Sequence, residues 1–107
     1  MTRQTTAKLT AALLGTWIKG PGEPCTERYP AQLTLGDRNL YTGQTDPPGG
    51  FTWWDAGTWR VRPLSRIELS TATDEVETYE VRLIGDGSAA TMTIVDNVGC
   101  SLTYRRG

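Results

Sequence analysis

From Trp17 onward the apolar residues fall in short runs, often alternating with polar ones, and Gly, Pro, Asp or Asn closes each run. This two-residue period is the signature of strands with one dry face. It predicts strands at roughly 15–20, 30–36, 39–45, 51–54, 57–62, 66–71, 76–84, 89–96 and 100–106. The period puts Leu33 with Leu35, Trp59 with Val61, Ile67 with Leu69, Tyr79 with Val81 and Leu83, and Leu102 with Tyr104 on the inward face. The alternate residues Gln32, Thr34, Arg60, Arg62, Glu68, Ser70, Glu80 and Arg82 are polar and belong outside. Before Trp17 the period changes. Leu9 and Leu13 share a helical face, Thr5 or Thr6 can cap the helix, and Gly15 ends it, so residues 1–14 read as a short helical lead-in.

The breaks between strands are short and hairpin-like: Gly36-Asp37-Arg38, Asp46-Pro47-Pro48-Gly49-Gly50, Ala72-Thr73-Asp74-Glu75, Gly85-Asp86-Gly87 and Asp96-Asn97-Val98-Gly99. Short connections favour pairing of successive strands. A sheet of eight or nine such strands hides its apolar face by closing on itself. The expected fold is therefore an all-β, antiparallel up-and-down meander barrel with a short N-terminal helix, one domain over 1–107.

Composition narrows what such a barrel can do. Its 107 residues build one modest core, and four Trp and four Tyr supply the large buried areas that an apolar fraction of 37% would otherwise leave short. Eleven basic against twelve acidic residues, with no basic run beyond Arg105-Arg106, argue against nucleic acid as a partner. No apolar run is long enough for a helical membrane span, and Ala11–Leu14 is too short for a signal-peptide core, so the chain as written reads as cytoplasmic. Histidine is absent, which removes the usual general base and the usual zinc or haem ligand. No metal site and no cofactor are expected.

Gly15-Thr16-Trp17, a G-x-W element entering the first strand from a short helix, resembles the start of the lipocalin-like (calycin) barrels. In that family a basic residue late in the last strand packs across the Trp ring. The resemblance implies a calycin-type barrel and gives Arg105 or Arg106 that structural role beside Gly15 and Trp17. A guanidinium over an indole face contributes about 0.5–2 kcal/mol, so Trp17 reads as a core residue and not as a ligand contact. Gly15-Thr16-Trp17 with Gly20, Gly22 and Tyr29-Pro30 is also similar to the N-terminal elements of nitrobindin-like barrels. Their haem requires an axial His that this chain lacks.

In a meander barrel the last strand pairs with the first, which brings the end of strand one near the start of the last strand. Cys25 follows the one and Cys100 begins the other. A bridge between them would close the seam and imply export to an oxidising compartment, with a signal removed; two buried thiols are the alternative.

Phe51-Thr52-Trp53-Trp54-Asp55 is the densest aromatic stretch, and adjacent Trp residues on one strand cannot both point inward. One of them either covers the barrel end or lines the mouth of a ligand cavity with Pro47, Pro48 and Phe51. The expected lining is Trp53, Trp54, Trp59, Tyr41, Tyr79, Met92 and Tyr104. Asp55 is the one acid-base candidate, with turn capping as its plainer use.

Three functions compete. The first is binding of a small hydrophobic or aromatic molecule in the barrel. The second is cofactor-independent cyclisation or isomerisation of a natural product in the same interior. The third is a protein-interaction barrel, such as a protease inhibitor acting through the polar start Met1–Lys8. A small hydrophobic ligand is the expected partner, and a homodimer is compatible with the sequence.

Overall fold

The alternation closes on itself as expected: in the computed structural model, which describes residues 4–63 and 65–107, eight strands form one closed antiparallel barrel in chain order. Helix α1 (Gln4–Leu13) leads into β1 (Gly15–Lys19), followed by β2 (Gln32–Leu35), β3 (Leu40–Gln44), β4 (Ala56–Arg62), β5 (Arg66–Ser70), β6 (Val76–Ile84), β7 (Thr91–Val95) and β8 (Ser101–Arg106). Every neighbour pairs antiparallel, and β8 returns to β1 with Trp17 opposite Arg106 and Lys19 opposite Tyr104. The sheet has no free edge, which removes the unpaired backbone row that an open sheet would present.

The period-two assignment of faces holds. Leu33, Leu35, Trp59, Val61, Ile67, Leu69, Tyr79, Val81, Leu102 and Tyr104 are buried together with Met92 and Ile94 in one cluster, and Leu83 packs partly buried against it. Gln32, Arg60, Arg62, Glu80 and Arg82 are exposed on the outer face. Among the described residues no buried side-chain nitrogen or oxygen lacks a hydrogen-bond partner.

Two expectations need correction. Thr5 and Thr6, expected at the start of α1 as caps, fall within its range. Residues 51–54 form no strand. The Trp53 amide donates to the Arg28 carbonyl at 2.8 Å, and the Trp53 carbonyl accepts from the Ala72 amide at 2.7 Å. One backbone hydrogen bond on each side stitches the segment across the barrel end without building a ladder. Three short 3-10 turns, Pro24–Arg28, Asp37–Asn39 and Gly87–Ala89, also escape the alternation pattern.

The two barrel ends differ. At the base, Leu13 of α1 is fully buried and Leu9 packs against the core. The Trp17 indole donates to the Leu13 carbonyl at 2.9 Å. The parity of β8 turns Arg106 inward and leaves Arg105 exposed. The Arg106 guanidinium lies 4.1 Å from the Trp17 ring centroid. It also donates to the carbonyls of Ala12 and Leu14, the unpaired acceptors at the end of α1. Gly15 makes this possible: it has φ +126°, and any side chain there would meet the guanidinium. The opposite end carries the loops β1–β2, β3–β4, β5–β6 and β7–β8, and is here called the mouth.

Candidate functional site

The mouth is built around a tryptophan pair whose members do different things. Trp54 is fully buried and seals the barrel, its ring 4.5 Å from that of Tyr29 and 5.3 Å from that of Tyr79. Its indole nitrogen donates to the Tyr79 hydroxyl at 3.3 Å. The segment can settle this deeply because Gly43 of β3 has no side chain: a methyl there would overlap the Trp54 carbonyl and the Pro30 ring. The Gly43 amide instead donates to the Asp55 carbonyl at 2.7 Å. Trp53, one residue earlier, points the other way and stays partly exposed.

The surrounding loops are fixed by long-range bonds. A disulfide joins Cys25 of the β1–β2 loop to Cys100 at the start of β8. The Lys19 ammonium donates to the carbonyls of Thr26 and Tyr29 at 2.6 and 2.7 Å, and desolvation lowers its pKa from the ordinary lysine value. The Tyr29 hydroxyl donates to Asp96 Oδ2 at 2.7 Å. Asp96 Oδ1 accepts from the amides of Val98 and Cys100 at 3.0 and 2.7 Å, shaping the β7–β8 turn. One carboxylate therefore holds its own turn and the neighbouring loop together.

Between these loops lies a cleft of about 350 Å³. Its walls are the rings of Trp53, Tyr29 and Tyr79, with Val98 at one side and Thr71 and Thr73 at another. Its charged rim is Arg28, Glu75, Glu77 and Asp96, with Asn97 between. A second depression of about 370 Å³ lies among Asn39, Thr58, Trp59, Glu68, Ser70 and Val76. There Glu68 is already engaged, by Arg60 at 2.8 Å and Arg62 at 3.6 Å. The mouth cleft differs in gathering three aromatic rings from three converging chain segments, where the second depression has Trp59 alone.

The residues expected to line a ligand cavity divide between two places. Trp53 and Tyr79 border the cleft. Trp54, Trp59, Tyr41, Met92 and Tyr104 are each at most 2% exposed and belong to the packed interior. There Trp59 donates from its indole to the Gly36 carbonyl at 2.9 Å, the Tyr41 hydroxyl donates to the Ser70 carbonyl, and the Tyr104 hydroxyl donates to the Pro30 carbonyl at 2.8 Å. Phe51 is exposed, its ring 5.7 Å from Trp53, and Pro47 and Pro48 lie outside the cleft. Asp55 is exposed, and its Oδ1 accepts from the following Ala56 amide at 2.7 Å, a turn-capping contact. Of the polar start Met1–Lys8, residues 1–3 lie outside the described residues and 4–8 form the first turns of α1.

Arg28, Tyr29, Thr71, Glu75, Glu77, Asp96 and Val98 were not singled out as a site by the sequence pattern. They sit in three separate loops and at the start of β6, and only barrel closure brings them together. Among the described residues no group of three or more His, Cys, Asp or Glu could hold a metal ion. No family model, no curated protein and no solved structure matches the chain.

Proposed function

We propose that this protein is a small-molecule-binding barrel of the lipocalin-like kind, taking a flat apolar or aromatic molecule at its mouth. The observation that carries this reading is the split of the Trp53-Trp54 pair. Trp54 seals the core, while Trp53 is held partly exposed on the wall of a 350 Å³ cleft. That volume falls within the range of about 300–1,000 Å³ typical of small-molecule sites. Ordering Trp53 beforehand lowers the entropy cost of binding, because its backbone is pinned by hydrogen bonds on both sides.

The lipocalin-like assignment is supported by the helix-to-strand entry at Gly15-Thr16-Trp17 and by Arg106 lying over Trp17 from the last strand. The site differs from a deep calyx: Trp59, Tyr41, Met92 and Tyr104 fill the interior and serve as a rigid floor. The Cys25–Cys100 bridge favours an oxidising compartment as the working place of the protein.

Titration with a panel of neutral aromatic compounds, followed by intrinsic Trp fluorescence, tests the reading. At least one compound is expected to saturate the signal, and Trp53→Ala should weaken it about tenfold, the loss of one aromatic contact face. A flat response across the panel, or equal affinity in Trp53→Ala, would contradict it.

A further inference from the structure

The cleft has a charge as well as a shape. Glu77 precedes Tyr79 by two residues on β6 and so shares its face, half-buried at the rim. Glu75 stands beside it in the β5–β6 turn, and Asp96 lies across the opening in the β7–β8 turn. Against these three carboxylates the rim carries, among the described residues, one cation, Arg28. The ion pairs among the described residues are those of Glu68 with Arg60 and Arg62, so Arg28 does not pair with any of the three. The Glu77 carboxylate accepts from Asn97 Nδ2 at 3.0 Å, and Asp96 is fixed by the Tyr29 hydroxyl and two backbone amides. These bonds orient two of the carboxylates without neutralising them.

The same cleft is lined by three aromatic rings, and the negative π-face of such a ring attracts a positive charge on its own account. Carboxylates and ring faces thus favour the same ligand charge, and a cleft with low-dielectric walls concentrates their field. From this we infer that the ligand is an organic cation: a protonated amine or quaternary ammonium attached to the flat body that stacks on Trp53. The inference rests on the mouth-binding reading and adds the ligand's charge to it. The cleft and its aromatic walls define the site, and the three carboxylates select what enters.

The test uses the full chain and three probes of nearly equal shape: 2-phenylethylamine, 2-phenylethanol and phenylacetate. Binding is read from backbone amide NMR shifts at Glu77, Asn97 and Val98. The amine is expected to bind about tenfold more tightly than the alcohol, and phenylacetate more weakly than either. In the Glu75→Gln/Glu77→Gln double variant the amine should lose most of that advantage while the alcohol binds as before, which also shows that the variant is folded. Alcohol or phenylacetate binding as tightly as the amine would overturn the inference and leave the mouth site standing. If none of the three probes moves the mouth amides, the reading of the mouth as a binding site falls together with the inference.

Discussion

Four tyrosines turn their rings into the barrel or its mouth, and each hydroxyl is answered there. Tyr29 donates to Asp96, Tyr41 to the Ser70 carbonyl and Tyr104 to the Pro30 carbonyl, while Tyr79 accepts from Trp54. Burial is the main cause that raises the pKa of all four above the ordinary value of 10.0, because the phenolate would lose its water. A group whose folded pKa lies above its unfolded one contributes stability that is complete below the unfolded value and is lost as pH rises towards the folded one. The barrel is therefore expected to keep its full tyrosine contribution up to about pH 10 and to lose it above. Absorbance at 295 nm checks this: the native protein at pH 10 should show almost no tyrosinate, which should appear steeply with unfolding at higher pH. Gradual ionisation centred near pH 10 with the fold intact would contradict the packing described. The sequence marks these residues as strand aromatics but not their partners, since Tyr104 and Pro30 stand 74 positions apart. Tyr41 and Tyr104 look like ligand contacts for the same reason: a buried hydroxyl and a ligand-facing one have the same local pattern.

At the level of elements, regular alternation made all eight strands readable to within two residues at each end, β4 among them despite Gly57. The segment 51–54 misleads because aromatic and β-branched residues favour extended backbone whether or not a neighbouring strand completes the ladder. Here its neighbours are the Arg28 loop and Ala72, one backbone hydrogen bond each. The Cys25–Cys100 pairing was readable because strand order alone brings the two ends of the seam together. The bridge closes a loop of 75 positions and anchors the β1–β2 loop that supplies Arg28 and Tyr29 to the cleft. Replacing both cysteines by serine is expected to lower stability by about 4 kcal/mol in urea unfolding. Hydrogen exchange should increase most over residues 20–31. A loss below about 1 kcal/mol, with that loop still protected, would show that Lys19 and Asp96 hold the loop without the bridge.

Taken as a whole, the molecule is a barrel with one end locked and one end offered. Arg106, Trp17 and α1 close the base, a packed aromatic and aliphatic core fills the interior, and four loops frame a cleft at the mouth. The barrel and its faces follow from local periodicity. The cleft does not, because its members are scattered polar turn residues whose shared position depends on how far each loop leans over the opening. On the proposed reading, a ligand meets Trp53 and leaves the interior undisturbed. The four tryptophans give it a direct readout, since each indole N–H contributes a separate NMR signal. With saturating 2-phenylethylamine, the Trp53 indole signal is expected to shift most and that of Trp54 beneath it less, while those of Trp17 and Trp59 stay in place. The largest shift falling on Trp17 or Trp59, or no shift in any of the four, would rule out binding at the mouth.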